Sequence, residues 1–203
     1  MDHQSSARPL IILAHGFLRD QRNMRGLALA LAQAGYRVAT LNSRHDSPVS
    51  GGHAKNSRDM VALARHLRAG RVIYAGFSAG ALAALLAADS DPTAVGVLTL
   101  DLVDSQGLGL SAARGLELPV VALAGAPSNC NANNNAAPVY QAMAQVQLTP
   151  IPEASHCDFE SPSDWLCRTL CQVPPGRGDG AEATVQAEII RDAVAGAERI
   201  AGR

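Results

Sequence analysis

The chain has 203 residues, of which 47% are apolar and 17% charged, and its net charge is −1. This length suits one domain, 1–203, with a sizeable core, and the composition argues against a disordered chain. There is no basic block, which argues against nucleic acid as a partner, and no apolar run nears the roughly 18 residues of a membrane span.

Short apolar runs at 10–14, 37–41, 72–77, 95–101, 120–124 and 147–151 predict strands. Helical patterns lie between or after them, near 21–34, 56–69, 79–89, 138–146, 162–171 and 181–201. Gly35 and Gly70 stand where helix C-caps are expected. Pro138 and Pro162 stand in expected first turns, with Ser161 as the N-cap before the second. Such alternation builds a mostly parallel, six-stranded α/β sheet with helices on both faces. The strands show little polar alternation, as doubly covered strands should. The Asn-rich stretch 129–135 reads as a surface loop, and 176–180 as a linker to the last helix.

The run 71–80 carries the most chemistry. It reads Arg-Val-Ile-Tyr-Ala-Gly-Phe-Ser-Ala-Gly, a strand leading into Gly76-Phe77-Ser78-Ala79-Gly80 and then an alanine-rich helix. This G-x-S-x-G spacing in a strand–turn–helix context marks Ser78 as a nucleophile on a tight turn. Small residues at 76 and 80 leave room where strand and helix nearly touch. The Ala79 amide then faces the place where an oxyanion would form. After the first strand, His15-Gly16-Phe17-Leu18 can supply a second oxyanion donor from the amide of Phe17 or its neighbour. His15 reads as structural, because it precedes the nucleophile and sits in that loop.

A general base is expected after the last strand. His156, in Ala154-Ser155-His156-Cys157-Asp158, is the one histidine C-terminal to Ser78; His3, His15, His45, His53 and His66 all precede it. A carboxylate is needed to fix the imidazole tautomer. The loop after 120–124, the usual place, has none; Thr99-Leu100-Asp101-Leu102-Val103-Asp104 offers two. Asp101 stands at the expected strand end and is preferred, with Asp104 as the alternative acid. Asp158 is too close in sequence to His156 for that role and reads as a loop-capping residue.

Taken together, HGF at 15–17, GFSAG at 76–80 and ASH at 154–156 resemble the α/β-hydrolase superfamily over nearly the whole chain. Within it the chain looks most like the lidless chlorophyllase and polyester-hydrolase (cutinase-like) branch. Chlorophyllase-like proteins carry their acid in an L-D-P-V motif; Leu100-Asp101-Leu102-Val103 matches except for Leu102. The resemblance implies a minimal α/β-hydrolase fold with no lid domain, since the connection 102–118 is short. By analogy with polyester hydrolases it also implies a Cys130–Cys157 bridge.

From the residues alone, the four cysteines, Cys130, Cys157, Cys167 and Cys171, read either as free thiols or as one of three full pairings. Cys167 and Cys171 lie on one face of an expected helix, and a bridge within one turn is geometrically awkward. Neither a C-x-x-C pair nor a zinc spacing occurs, so no metal is expected. Aromatics are few; Phe17, Phe77 and Trp165 are the candidates to line a pocket, with a core position the competing reading for each.

These features together predict a serine hydrolase of carboxylic esters, working without a cofactor on a small or polymeric ester. The competing readings are a thioesterase or acyltransferase on the same triad, and a non-catalytic ligand-binding protein of the same fold. Residues 1–9 carry no secretion signal, which favours the cytoplasm, whereas the cysteine placement and the Asn-rich loop favour export. The sequence does not set the oligomeric state.

Overall fold

The computed structural model describes residues 8–43, 52–171 and 179–203. Six strands form one parallel sheet: β1 (Leu10–Ala14), β2 (Arg37–Leu41), β3 (Val72–Phe77), β4 (Ala94–Leu100), β5 (Val120–Ala124) and β6 (Val146–Pro150). Their order across the sheet is β2-β1-β3-β4-β5-β6. The helices are α1 (Arg25–Gln33), α2 (His53–His66), α3 (Ala79–Ser90), α4 (Leu108–Ala113), α5 (Ala137–Ala142), α6 (Trp165–Leu170) and α7 (Asp179–Ala201). Two 3-10 turns, Gln21–Met24 and His156–Phe159, complete the described elements.

The sheet separates two apolar cores. On one face α2, α3, α4 and α5 bury Met60, Leu82, Leu85, Ala113 and Val139. On the other, α1 and α7 bury Leu27, Leu31, Ile189, Ala193 and Ile200. The central strands β1 and β3 are buried at every position, which is why their sequences are apolar throughout. α3 is likewise almost wholly buried, and its run of Ala and Leu has no polar stripe to show water.

The strands β1, β2, β3 and β5 fall where the sequence predicts them. β4 and β6 each sit one residue earlier, so Asp101 leaves the strand and enters the loop. α4 escapes the sequence reading: it is six residues long and starts beside Gly107 and Gly109, a composition that reads as a turn. It is the sole helix between β4 and β5, and no lid is present there. Ser161 does not cap the helix that follows it, because its amide and carbonyl bond Asn23 O and Gly26 N. Asp164 caps α6 instead, accepting from the Cys167 amide at 3.0 Å. At the end of α2 the left-handed residue is Arg68, with φ 51°, rather than Gly70. Of the expected linker 176–180, residues 176–178 lie outside the described residues and the rest belong to α7.

Register brings the strand ends to one rim. Ala14 pairs with Gly76, Phe77 with Leu100, Leu100 with Leu123, and Ala124 with Pro150. The loops beginning at His15, Ser78, Asp101 and Gly125 therefore emerge side by side, with the His156 loop just past β6. A crevice is expected there, where the strand order reverses between β1 and β3.

Candidate active site

Ser78 follows β3 directly and takes φ 54°, ψ −119° as the residue before α3. A non-glycine residue in this region costs about 1–3 kcal/mol and persists only where its surroundings hold it. Here its amide donates to Leu100 O at 2.9 Å, and its carbonyl accepts from the Ala81 and Leu82 amides. The flanking glycines allow the turn. A Cβ at Gly76 would lie 2.3 Å from Gly80 O, and one at Gly80 would lie 2.4 Å from His15 O. Ala79 opens α3, where amide groups have no helical partner and the helix dipole is positive.

His156 starts the 3-10 turn His156–Phe159 and is buried. Its Nε2 lies 3.1 Å from Ser78 Oγ, and its Nδ1 lies 2.6 Å from Asp101 Oδ2. A carboxylate only accepts, so with Asp101 on Nδ1 that nitrogen carries the proton and Nε2 is left to accept from the serine hydroxyl. The Phe77 ring packs against the imidazole at 4.6 Å between centroids. Ser155 and Asp158 close a capping box at the start of the turn, so Asp158 holds the loop, as the sequence suggests. His15 is fixed too: its Nδ1 meets Gly16 O at 2.8 Å and its Nε2 accepts from the Ser43 amide at 2.9 Å.

Asp101, with φ 42°, is also held from behind. Its Oδ1 accepts from the Gly125 amide at 2.9 Å, and the Asn131 side-chain amide reaches its two oxygens at 3.4 and 3.2 Å. Asn131 is fully buried although its loop reads as surface, and its own oxygen accepts from the amides of Ser128 and Asn134. The structure thus turns an expected surface loop into the support of the Asp101 carboxylate. The alternative acid, Asp104, is placed elsewhere: its Oδ1 accepts from the Ser105 and Gly109 amides, tying the start of α4.

An open cleft of about 150 Å³ faces Ser78 and His156. Phe17, Leu18, Arg19, Phe77, Glu160 and Leu170 line it. Trp165 is 74% exposed and does not line it. Arg19 grips Glu160 with two hydrogen bonds, of 2.5 and 2.7 Å, and reaches Asp164 at 2.7 Å. Burial pushes the Glu160 carboxyl up despite Arg19. Burial also works against the Arg19 cation, but Glu160 and Asp164 outweigh it and hold the guanidinium above its ordinary value. Neither Arg19 nor Glu160 stands out in the sequence; the signal was a charged residue close behind each functional loop.

The cysteine pairing corrects the Cys130–Cys157 bridge that the resemblance implies. Cys130 pairs with Cys171, and Cys157 with Cys167. The reason is α6, which lies against both loops and presents Cys167 and Cys171 one turn apart, with their sulfurs at 3.8 Å. Each loop cysteine takes a helix partner. The two bridges close loops with separations of 41 and 10 residues. Chain-entropy arguments give about 4 and about 3 kcal/mol to such loops. The paired variant Cys130→Ser/Cys171→Ser is therefore expected to lower unfolding free energy in urea by about 2–4 kcal/mol, and more than Cys157→Ser/Cys167→Ser does.

A serine hydroxyl beside an imidazole, with a carboxylate on the far ring nitrogen, is an arrangement that acyl transfer can use. No protein-family model matches the chain, and no curated protein sequence matches it. Among solved structures it is similar to a ferulic acid esterase from Streptomyces cinnamoneus, at 20% identity and a TM-score of 0.68, over 95% of this chain and 67% of that one. It is also similar to a "predicted CIB-like hydrolase" from Thermoplasma acidophilum, at 12% identity and a TM-score of 0.65, over 93% and 87% of the two chains. A third likeness is to a structure from work on LipS and LipT, two metagenome-derived lipolytic enzymes, at 16% identity and a TM-score of 0.62, over 92% and 94%. These likenesses, with the sheet described above, show the α/β-hydrolase fold.

Proposed function

We propose that this chain is a serine hydrolase of carboxylic esters. The observation that carries the reading is the position of His156 between Ser78 Oγ and Asp101, at 3.1 and 2.6 Å, with all three side chains buried. Ser78 Oγ attacks the ester carbonyl while His156 Nε2 takes its proton, and Asp101 stabilises the imidazolium. The amides of Phe17 and Ala79 hold the oxyanion. The imidazolium then gives its proton to the leaving alkoxide. Water, deprotonated by His156, cleaves the acyl-enzyme and frees Ser78. The names of two structural neighbours, an esterase and lipolytic enzymes, support esters as the substrate class. The Leu100–Val103 segment supports kinship with the chlorophyllase branch, whereas the cysteine pairing departs from the polyester hydrolases. Two disulfides suit an oxidising, extracytoplasmic compartment.

The cleft supports a short acyl group. At about 150 Å³ it is well below the roughly 300–1,000 Å³ of drug-sized pockets. Arg19, already bonded to two carboxylates, offers no charge to an acidic acyl chain. Both features support a neutral ester with a short acyl group as the substrate. The test is hydrolysis of p-nitrophenyl acetate, butyrate and octanoate, with fluorophosphonate labelling of the same protein. Butyrate is expected to match or exceed octanoate in kcat/KM. In a pocket that buried the whole chain, the four extra methylenes would favour octanoate by roughly 200-fold. Folded protein that neither hydrolyses these esters nor takes the label overturns the reading.

A further inference from the structure

We propose that the buried Arg19–Glu160 ion pair is a positioning device that holds the oxyanion loop and the base loop at their working separation. The inference rests on the ester-hydrolase reading and assigns residues which that reading does not use. Arg19 belongs to the oxyanion loop. Its amide closes the turn over Phe17 and Leu18 by donating to Gly16 O at 3.3 Å, and Leu18 sits at φ 57° inside that turn. Glu160 follows the 3-10 turn that begins with His156. Its side chain is fully buried, and both of its oxygens bond Arg19. The pair lines the cleft beside Ser78 and His156.

A second link from Arg19 converges on the same loop. Its Nη2 reaches Asp164, the N-cap of α6, and α6 carries Cys167, bridged to Cys157 next to His156. One guanidinium thus ties the Phe17 turn to both ends of the base loop. Only arginine can do this, because its planar fork meets a carboxylate with two bonds and keeps a donor for the next. Burial of such a pair is poor support for stability, since apolar side chains of similar volume usually serve the fold as well or better. Its value here is geometric: an error of about 1 Å in a reacting group costs up to roughly 100-fold in rate.

The experiment compares wild type with Arg19→Lys, Glu160→Gln and the apolar pair Arg19→Met/Glu160→Leu. Thermal unfolding, kcat and KM on p-nitrophenyl acetate, and the rate of fluorophosphonate labelling are read for each. In the labelling step an Oγ–P bond forms, the P–F bond breaks, fluoride leaves and His156 takes the hydroxyl proton. The expected result is an apolar pair that folds at least as stably as wild type yet loses about 10–100-fold in kcat and in labelling rate, with KM within about twofold. Arg19→Lys is expected to lose kcat in the same direction while keeping the charge. Wild-type kcat in the folded apolar pair overturns the inference, because the ion pair would then only fill space. If that variant does not fold, wild-type kcat in Arg19→Lys overturns it equally. If wild type takes the label but hydrolyses no ester, the ester reading fails alone and the labelling rates still decide the inference. If wild type takes no label, both fail.

Discussion

Replacing Ser78 or His156 with alanine is expected to lower kcat for p-nitrophenyl butyrate by about 10⁶-fold, and replacing both should cost hardly more. The geometry explains the non-additivity. Ser78 Oγ has no other base among the described residues: its bonded partner is His156 Nε2 at 3.1 Å. Without the imidazole, the hydroxyl stays protonated and is a weak nucleophile. Without the hydroxyl, the imidazole has nothing to activate at the carbonyl. The amides proposed for the oxyanion, at Phe17 and Ala79, survive either change, so a residual rate above background is expected from oxyanion binding alone. Neither change should unfold the chain, since the Ser78 turn is held by backbone bonds to Leu100, Ala81 and Leu82. A circular dichroism melt beside each rate measurement checks that. Loss of rate confined to one of the two variants, with both folded, would mean that the pair does not act as a unit.

The core and the tight turn at Ser78 are legible in the chain because each obeys a local rule. β1 and β3 are unbroken apolar runs, and Ser78 sits between glycines whose Cβ atoms would strike backbone. His156 is singled out by order along the chain, as no other histidine follows Ser78. What local patterns do not encode is which distant groups meet. Asn131 looks like any loop asparagine; only the fold puts its amide on Asp101. Arg19 and Glu160 are separated by 141 positions. The Cys130–Cys157 expectation fails for the same reason. A loop-to-loop bridge suited the two functional loops, but α6 lies between them and takes one cysteine from each. The cap of α6 moved from Ser161 to Asp164 because the Ser161 backbone is committed to Asn23 and Gly26, far upstream in sequence.

Asp101→Asn is expected to lower kcat by about 10⁴-fold with the fold retained, whereas Asp104→Asn leaves kcat near wild type. The argument turns on which donors face the carboxylate. Oδ1 accepts from the Gly125 amide at 2.9 Å and Oδ2 faces His156 Nδ1 at 2.6 Å, with the Asn131 amide touching both oxygens. An asparagine here has one oxygen to offer. Gly125 is a fixed backbone donor, so the oxygen stays with it and the NH₂ group turns to His156. The imidazole must then accept at Nδ1 and carry its proton on Nε2, where it donates to Ser78 instead of accepting from it. The base is present but in the wrong tautomer. Asp104 has no such position: its carboxylate accepts from Ser105 and Gly109 at the start of α4, so its loss should show in the melt and not in the rate. A kcat within tenfold of wild type for folded Asp101→Asn would show that the carboxylate is not setting the tautomer. The same outcome together with a collapse in Asp104→Asn would move the acid to the neighbouring loop residue and place the working state in a conformation other than this one.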